Sequence, residues 1–201
     1  MRTAPRRSGR CSWPSSAALL LLCAGAVRAE GEVHGRVLGE RPMPLVIYAR
    51  DMPEVAARSQ TRATLKQLHL RFAPQVLPIL AGTTVEFANE DATAHNVFSP
   101  TAQEPFDLGT FGDGTRTHLF RTPGPHVILC NVHVEMVAWV LVLRNPHFVT
   151  VDEDGRFALK LPPGKHHLVL WRPRERELDK EVDVPVDGKI DLSWDLAERT
   201  P

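Results

Sequence analysis

Residues 126–143 read His126-Val-Ile-Leu-Cys130-Asn-Val-His133-Val-Glu-Met136-Val-Ala-Trp-Val-Leu-Val-Leu143. Two short runs rich in Val, Ile and Leu, 126–129 and 137–143, flank seven residues. Short apolar β-branched runs favour strands. Seven residues between two strands leave room for little more than a tight loop. That loop carries a thiol, an imidazole and a thioether, at Cys130, His133 and Met136. The second run does not alternate with polar residues, so it reads as a strand buried on both faces.

Working outward, the rest of the chain repeats the strand signal. Gly31-Glu-Val-His-Gly-Arg-Val37 alternates apolar and polar residues, and 45–48 is a second strand. Residues 51–62 are polar and read as a loop or short helix. Residues 65–72 alternate again, with Leu65, Leu68, Leu70 and Phe72 turned to a core. Strands 76–80 and 83–87 are separated by the turn signal Ala81-Gly82. Strands 106–111, 115–120 and 126–129 follow. After Asn145-Pro146, strands 148–151 and 156–161 read as a hairpin closed at Asp154-Gly155. Strands 167–171, 181–186 and 190–194 complete the chain. No stretch keeps a helical period over three turns. Seventeen prolines and thirteen glycines cut the chain into short pieces. The expectation is an all-β protein built of sandwiches.

Composition narrows the function. The full chain balances 24 basic against 24 acidic side chains. Its first 29 residues have a basic start (Arg2, Arg6, Arg7, Arg10) and an apolar run at 17–27 too short to span a bilayer. They end on Val27-Arg28-Ala29, a small-residue cleavage pattern, so 1–29 reads as a signal peptide and the protein as periplasmic or secreted. Lipid attachment at Cys23 is disfavoured by the bulky Leu22 before it, and stable membrane insertion is not expected. Without that leader 19 basic and 24 acidic side chains remain, a net charge of −5. That balance argues against nucleic-acid binding, which needs a basic face.

Cys11 and Cys23 lie in the leader, so Cys130 stands alone in an oxidising compartment and has no internal disulfide partner. It is an inert buried thiol, an intermolecular partner or a metal thiolate. Soft sulfur beside imidazole selects copper or zinc over magnesium or calcium. Two His and one Cys with a weak axial Met form the electron-transfer copper pattern. The second imidazole would come from Asn89-Glu-Asp-Ala-Thr-Ala-His95-Asn96, which follows the strand 83–87.

At this point the sequence resembles the cupredoxins, especially the plastocyanin and amicyanin group, over roughly residues 63–144. The resemblance rests on Gly82-Thr-Thr-Val-Glu-Phe87, a strand-ending Asn89, the pair His95-Asn96 and the Cys-x-x-His-x-x-Met loop. It implies a Greek-key β-sandwich holding one copper ion, cycling between Cu(I) and Cu(II). His95, Cys130 and His133 would lie in a plane around the ion, with Met136 as axial ligand. Asn96 would hydrogen-bond across to the Cys130 loop. Gly82 and Gly124 would be turn residues, and electrons would leave through His133. One departure is Val134, where amicyanin-like loops have proline. Glu135, beside the axial Met, is a possible competing oxygen ligand. His126 is expected in the core or behind the ligands, and the other histidines on solvated strand positions.

Residues 146–196 resemble the carboxypeptidase regulatory-like domain, a small transthyretin-like β-sandwich, through Val149-Thr-Val-Asp-Glu-Asp-Gly-Arg-Phe-Ala-Leu-Lys-Leu-Pro-Pro-Gly164. Its usual opening strands match Gly31–Val37 and Pro44–Tyr48, far upstream. The expected organisation is a leader at 1–29, first strands of a discontinuous transthyretin-like unit at 30–50, a cupredoxin domain at 60–144 and the remaining strands at 145–197. The resemblances together imply an exported carrier of single electrons between redox protein partners, not an enzyme. The alternative is a module for copper delivery or storage without redox traffic. Copper-handling chains tend towards Met- or His-rich tracts, and this one has four Met in all.

Overall fold

Sixteen strands, and no helix, form among the residues that the computed structural model describes, 30–41, 43–55 and 61–197. They are β1 (Gly31–Leu38), β2 (Val46–Ala49), β3 (Arg62–Leu68), β4 (Arg71–Ala73), β5 (Val76–Leu80), β6 (Thr83–Asn89), β7 (His95–Ser99) and β8 (Phe106–Phe111). There follow β9 (Thr115–Phe120), β10 (Gly124–Leu129), β11 (Val137–Leu143), β12 (Phe148–Thr150), β13 (Arg156–Leu161), β14 (Gly164–Trp171), β15 (Leu178–Val184) and β16 (Lys189–Asp195). The protein is all-β. The leader expected at 1–29, with Cys11, Cys23 and the cleavage point, lies outside the described residues, as does the middle of the polar stretch 51–62.

Strands β3 to β11 build one sandwich. Its sheets run β4-β3-β6-β9 and β5-β11-β10-β7-β8. Alternation sends Leu65, Val85, Phe87, Val97, Phe120, Ile128, Ala138, Val140 and Val142 into the space between them. At Ala81-Gly82 the chain reverses from β5 to β6. Gly82 takes φ +90°, a conformation glycine adopts without a Cβ penalty, and donates its amide to Phe120 O.

The first two strands pair elsewhere. β1 is antiparallel to β13 and parallel to β16, and β2 is antiparallel to β12 and β14. Sheets β13-β1-β16 and β12-β2-β14-β15 enclose a second core that includes Val33, Val37, Ile47, Leu159, Leu168, Leu170 and Trp194. Gly35 sits where the Phe157 ring and Leu192 O approach so closely that a Cβ would meet the carbonyl at 2.0 Å.

β11 has two apolar faces because each faces a different neighbour. Ala138, Val140 and Val142 fill the first sandwich. Leu141 and Leu143 turn outward and, with Val76, pack on Val46 and Trp171 of the second, with Trp139 against the same cluster. The Trp139 and Trp171 rings meet edge-on at 6.2 Å. Buried Asn145 ties the crossing together. Its Nδ2 donates to Ala49 O at 2.8 Å, and its Oδ1 accepts from the His147 amide.

Two local expectations are corrected. Residues 65–72 are not one strand: β3 and β4 are a hairpin turning at His69-Leu70. Leu65 and Phe72 are buried, but Leu70 is 42% exposed at the turn. Residues 148–161 are not a hairpin either. β12 and β13 belong to different sheets, and 152–155 carries the chain across the sandwich edge. Gly155 N donates to Asp152 O, and Gly155 O accepts from the Val37 amide, so the turn is pinned to β1.

Candidate metal centre

The loop 130–136 stands on a paired base. Leu129 pairs with Val137, closing β10 on β11, and Leu129 also pairs with Phe98 of β7. The β7 pairing brings the start of that strand, His95, alongside the loop. Within the loop the Met136 amide donates to His133 O at 3.0 Å, tightening it into a turn.

The result is a convergence of donors. Ligand atoms of His95, Cys130 and His133 all lie within 4.8 Å of one another. Among the described residues no other group of three or more His, Cys, Asp or Glu side chains is so disposed. Nδ1 of His95 faces Nδ1 of His133 at 3.1 Å. Two metal–nitrogen bonds of about 2.0–2.1 Å at a near-tetrahedral angle put the nitrogens roughly 3.3 Å apart, so this spacing suits one ion. His95 and Met136 are fully buried, and Cys130 is a free buried thiol. Met136 and Cys130 belong to the same apolar cluster. His133 is half-buried between exposed Val132 and Val134, so of the four side chains it alone reaches toward solvent.

The outer nitrogen of His95 is also accounted for. Nε2 lies 2.9 Å from Asp91 Oδ2. The same carboxylate accepts the His69 amide at 2.6 Å and the Leu70 amide at 3.0 Å. Burial would raise the Asp91 pKa, but the Leu70 amide, the His95 ring and the His69 amide outweigh it and hold the group below its ordinary value. A carboxylate accepts from a ring N–H, so this contact favours the tautomer with the proton on Nε2. Sequence reasoning passed over Asp91, because an acid in a polar loop ahead of a His carries no distinguishing mark. Its one clue is its place between Asn89 and His95. The Asp91 amide bonds Asn89 Oδ1, and Asn89 Nδ2 in turn donates to the Thr93, Phe111 and Gly112 carbonyls.

Other candidates fall elsewhere. Asn96 is buried, but its Nδ2 donates to Asp107 Oδ1 at 2.8 Å instead of reaching across to the Cys130 loop. Its strand neighbours alternate, so His95 and Val97 face the core while Asn96 faces β8. Glu135 is exposed and lines a groove with His69, Arg71 and Gln75, outside the ligand group. His126 is buried against Phe120 and bonded to Thr122 O. His118 is not a solvated strand position: it stacks on Phe106 at 4.0 Å and bonds Glu104.

No family model matches this chain, and no curated protein matches it. Solved structures do. A purple cupredoxin from Nitrosopumilus maritimus aligns at 23% identity over 40% of this chain and 99% of that one, with a TM-score of 0.37. Amicyanin from Paracoccus versutus aligns at 20% identity over 48% of this chain and 97% of its own, with a TM-score of 0.38. A copper-containing nitrite reductase from Thermus scotoductus SA-01 aligns at 26% identity over 55% of this chain and 28% of its own, with a TM-score of 0.41. At such scores the weight rests on the strands and residues of the chain itself. On those, strands β3 to β11 form a two-sheet sandwich with a His-Cys-His group at one end.

Proposed function

We propose that the chain is an exported type 1 copper protein that carries single electrons between redox partners in the periplasm. The observation that carries this reading is the convergence of two Nδ1 atoms and one buried thiol at the end of a rigid sandwich. Copper, when bound, supplies the one-electron couple between Cu(I) and Cu(II). The chain's part is to hold its donors still. His95 and His133 would supply nitrogen donors, Cys130 its sulfur, and Met136 a buried thioether. Both ends of the loop are anchored in paired strands, so the donors keep one arrangement in either oxidation state. Burial of His95, Cys130 and Met136 would keep water from the site. His133, half-exposed, is the route by which an electron reaches a partner.

In the same proposal the outer unit is a transthyretin-like sandwich that holds the carrier and takes no part in its chemistry. The reading is of a carrier, since the donors face one another within a buried cluster.

The test is the visible spectrum of the protein with Cu(II), beside Cys130→Ser. An intense absorption in the red that vanishes in the variant supports a Cu–thiolate site of the His₂Cys type. A colourless protein, or a spectrum indifferent to the mutation, sinks the reading.

A further inference from the structure

We infer that Asp91, held by the His69-Leu70 turn, is a positioning residue that sets the tautomer of His95 and thereby prepares the site for its ion. The inference rests on the copper reading for its consequence, but not for its geometry.

The geometry has three parts. Asp91 is fixed from behind: its amide is bonded by Asn89, whose own side chain spans three carbonyls of the loop and β8–β9 connection. It is fixed from the side by two successive amides, His69 on Oδ1 and Leu70 on Oδ2. Both turn residues have positive φ, 54° and 58°, and neither is glycine. That conformation is uncommon for such residues and persists where surroundings enforce it. Here it points both amides at one carboxylate. In front, Oδ2 meets Nε2 of a His that has no exposed surface. A surface aspartate that merely braced a turn would face solvent, whereas this side chain is 11% exposed.

A buried imidazole has two neutral tautomers, and only the Nε2–H form leaves Nδ1 free for a metal. A carboxylate on Nε2 selects that form. In the metal-free protein His133 then donates from its own Nδ1 to His95 across the 3.1 Å gap. Asparagine cannot replace Asp91. With one oxygen it must turn its NH₂ either toward the His69 amide or toward the Leu70 amide and His95, so one donor faces another.

The experiment has two readouts. Nitrogen NMR of the metal-free wild type should show His95 as the Nε2–H tautomer. A Nδ1–H tautomer would overturn the inference whether or not the protein binds copper. Titration with Cu(II) alone should show Asp91→Asn binding 10–100-fold more weakly than wild type, with His95 divided between tautomers. Equal affinity and an unchanged tautomer in a folded variant would leave Asp91 a purely structural brace and also overturn it. If wild type takes up no Cu(II), the copper reading fails while the NMR result still decides the role of Asp91.

Discussion

Met136 and Cys130 sit in one apolar cluster, yet they contribute to the centre differently. In the proposed site the thiol would be a strong donor, and the thioether a weak one that tunes potential more than it holds the ion. Met136→Leu nearly conserves volume, so the metal-free protein should lose less than about 1.5 kcal/mol in urea unfolding. The copper-loaded variant should keep its thiolate band but show a shifted reduction potential by voltammetry. Cys130→Ser should abolish the band, and its hydroxyl in the apolar cluster should cost about 1–3 kcal/mol. His95, Cys130 and His133, which the fold brings together, could be picked from sequence because donor types that are rarely useful together fall in fixed order beside strands. Asp91 could not, because its role depends on a turn twenty residues upstream. The partner of Asn96 was also hidden: alternation puts it on the face opposite His95, but does not say that Asp107 of β8 meets it there.

The hairpin of β3 and β4 shows what sequence hides at the level of elements. Two-residue hairpin turns with positive φ usually advertise themselves as Asn-Gly or Asp-Gly. His69-Leu70 carries no such mark, so 65–72 read as one alternating strand. Each left-handed residue of this kind costs about 1–2 kcal/mol. Replacing the pair by Asn-Gly keeps both amides and should raise the unfolding free energy by about 1 kcal/mol or more, with Cu(II) affinity unchanged. The connection from β9 to β10 is braced by another acid. Glu104 accepts the Arg121 and Thr122 amides and bonds His118. Burial alone would raise its pKa, but the two amides, the Thr122 side chain and His118 bring it below the ordinary value of about 4.5. A carboxylate depressed on folding stabilises fully above its unfolded value and loses that contribution as pH falls through the folded one. Burial likewise lowers the His118 pKa against the opposing pull of Glu104, so the unfolded chain takes up this proton first and stability falls as pH drops below about 6.5. Glu104→Gln should cost about 1–2 kcal/mol at pH 7. Urea melts repeated near pH 3 should show the gap closing.

Across the whole molecule, the two cores meet on the outer face of β11. Aromatic burial dominates that contact, so Trp171→Ala should cost about 3–5 kcal/mol. It should also divide one calorimetric transition into two, as the sandwiches begin to melt separately. The doubled apolar character of 137–143 was plain in the sequence, but the identity of its second neighbour was not, since Val46 and Trp171 lie at opposite ends of the chain. Strand positions were mostly legible because each has its own local pattern. Pairings such as β1 with β16 were legible only through resemblance, since alternation says which face is buried and never against what. Asn145 and the pairing of β2 with β12 have one more consequence, which concerns time. During synthesis β1 and β2 emerge first, and their partners follow about a hundred residues later. Closing so long a flexible segment costs about 4 kcal/mol in chain entropy. Once the intervening sandwich has folded, its two ends lie side by side at Ala49 and Asn145, and that cost largely disappears. The inner unit thus biases the order of assembly: the outer one closes more favourably once the part that would hold the metal has taken shape.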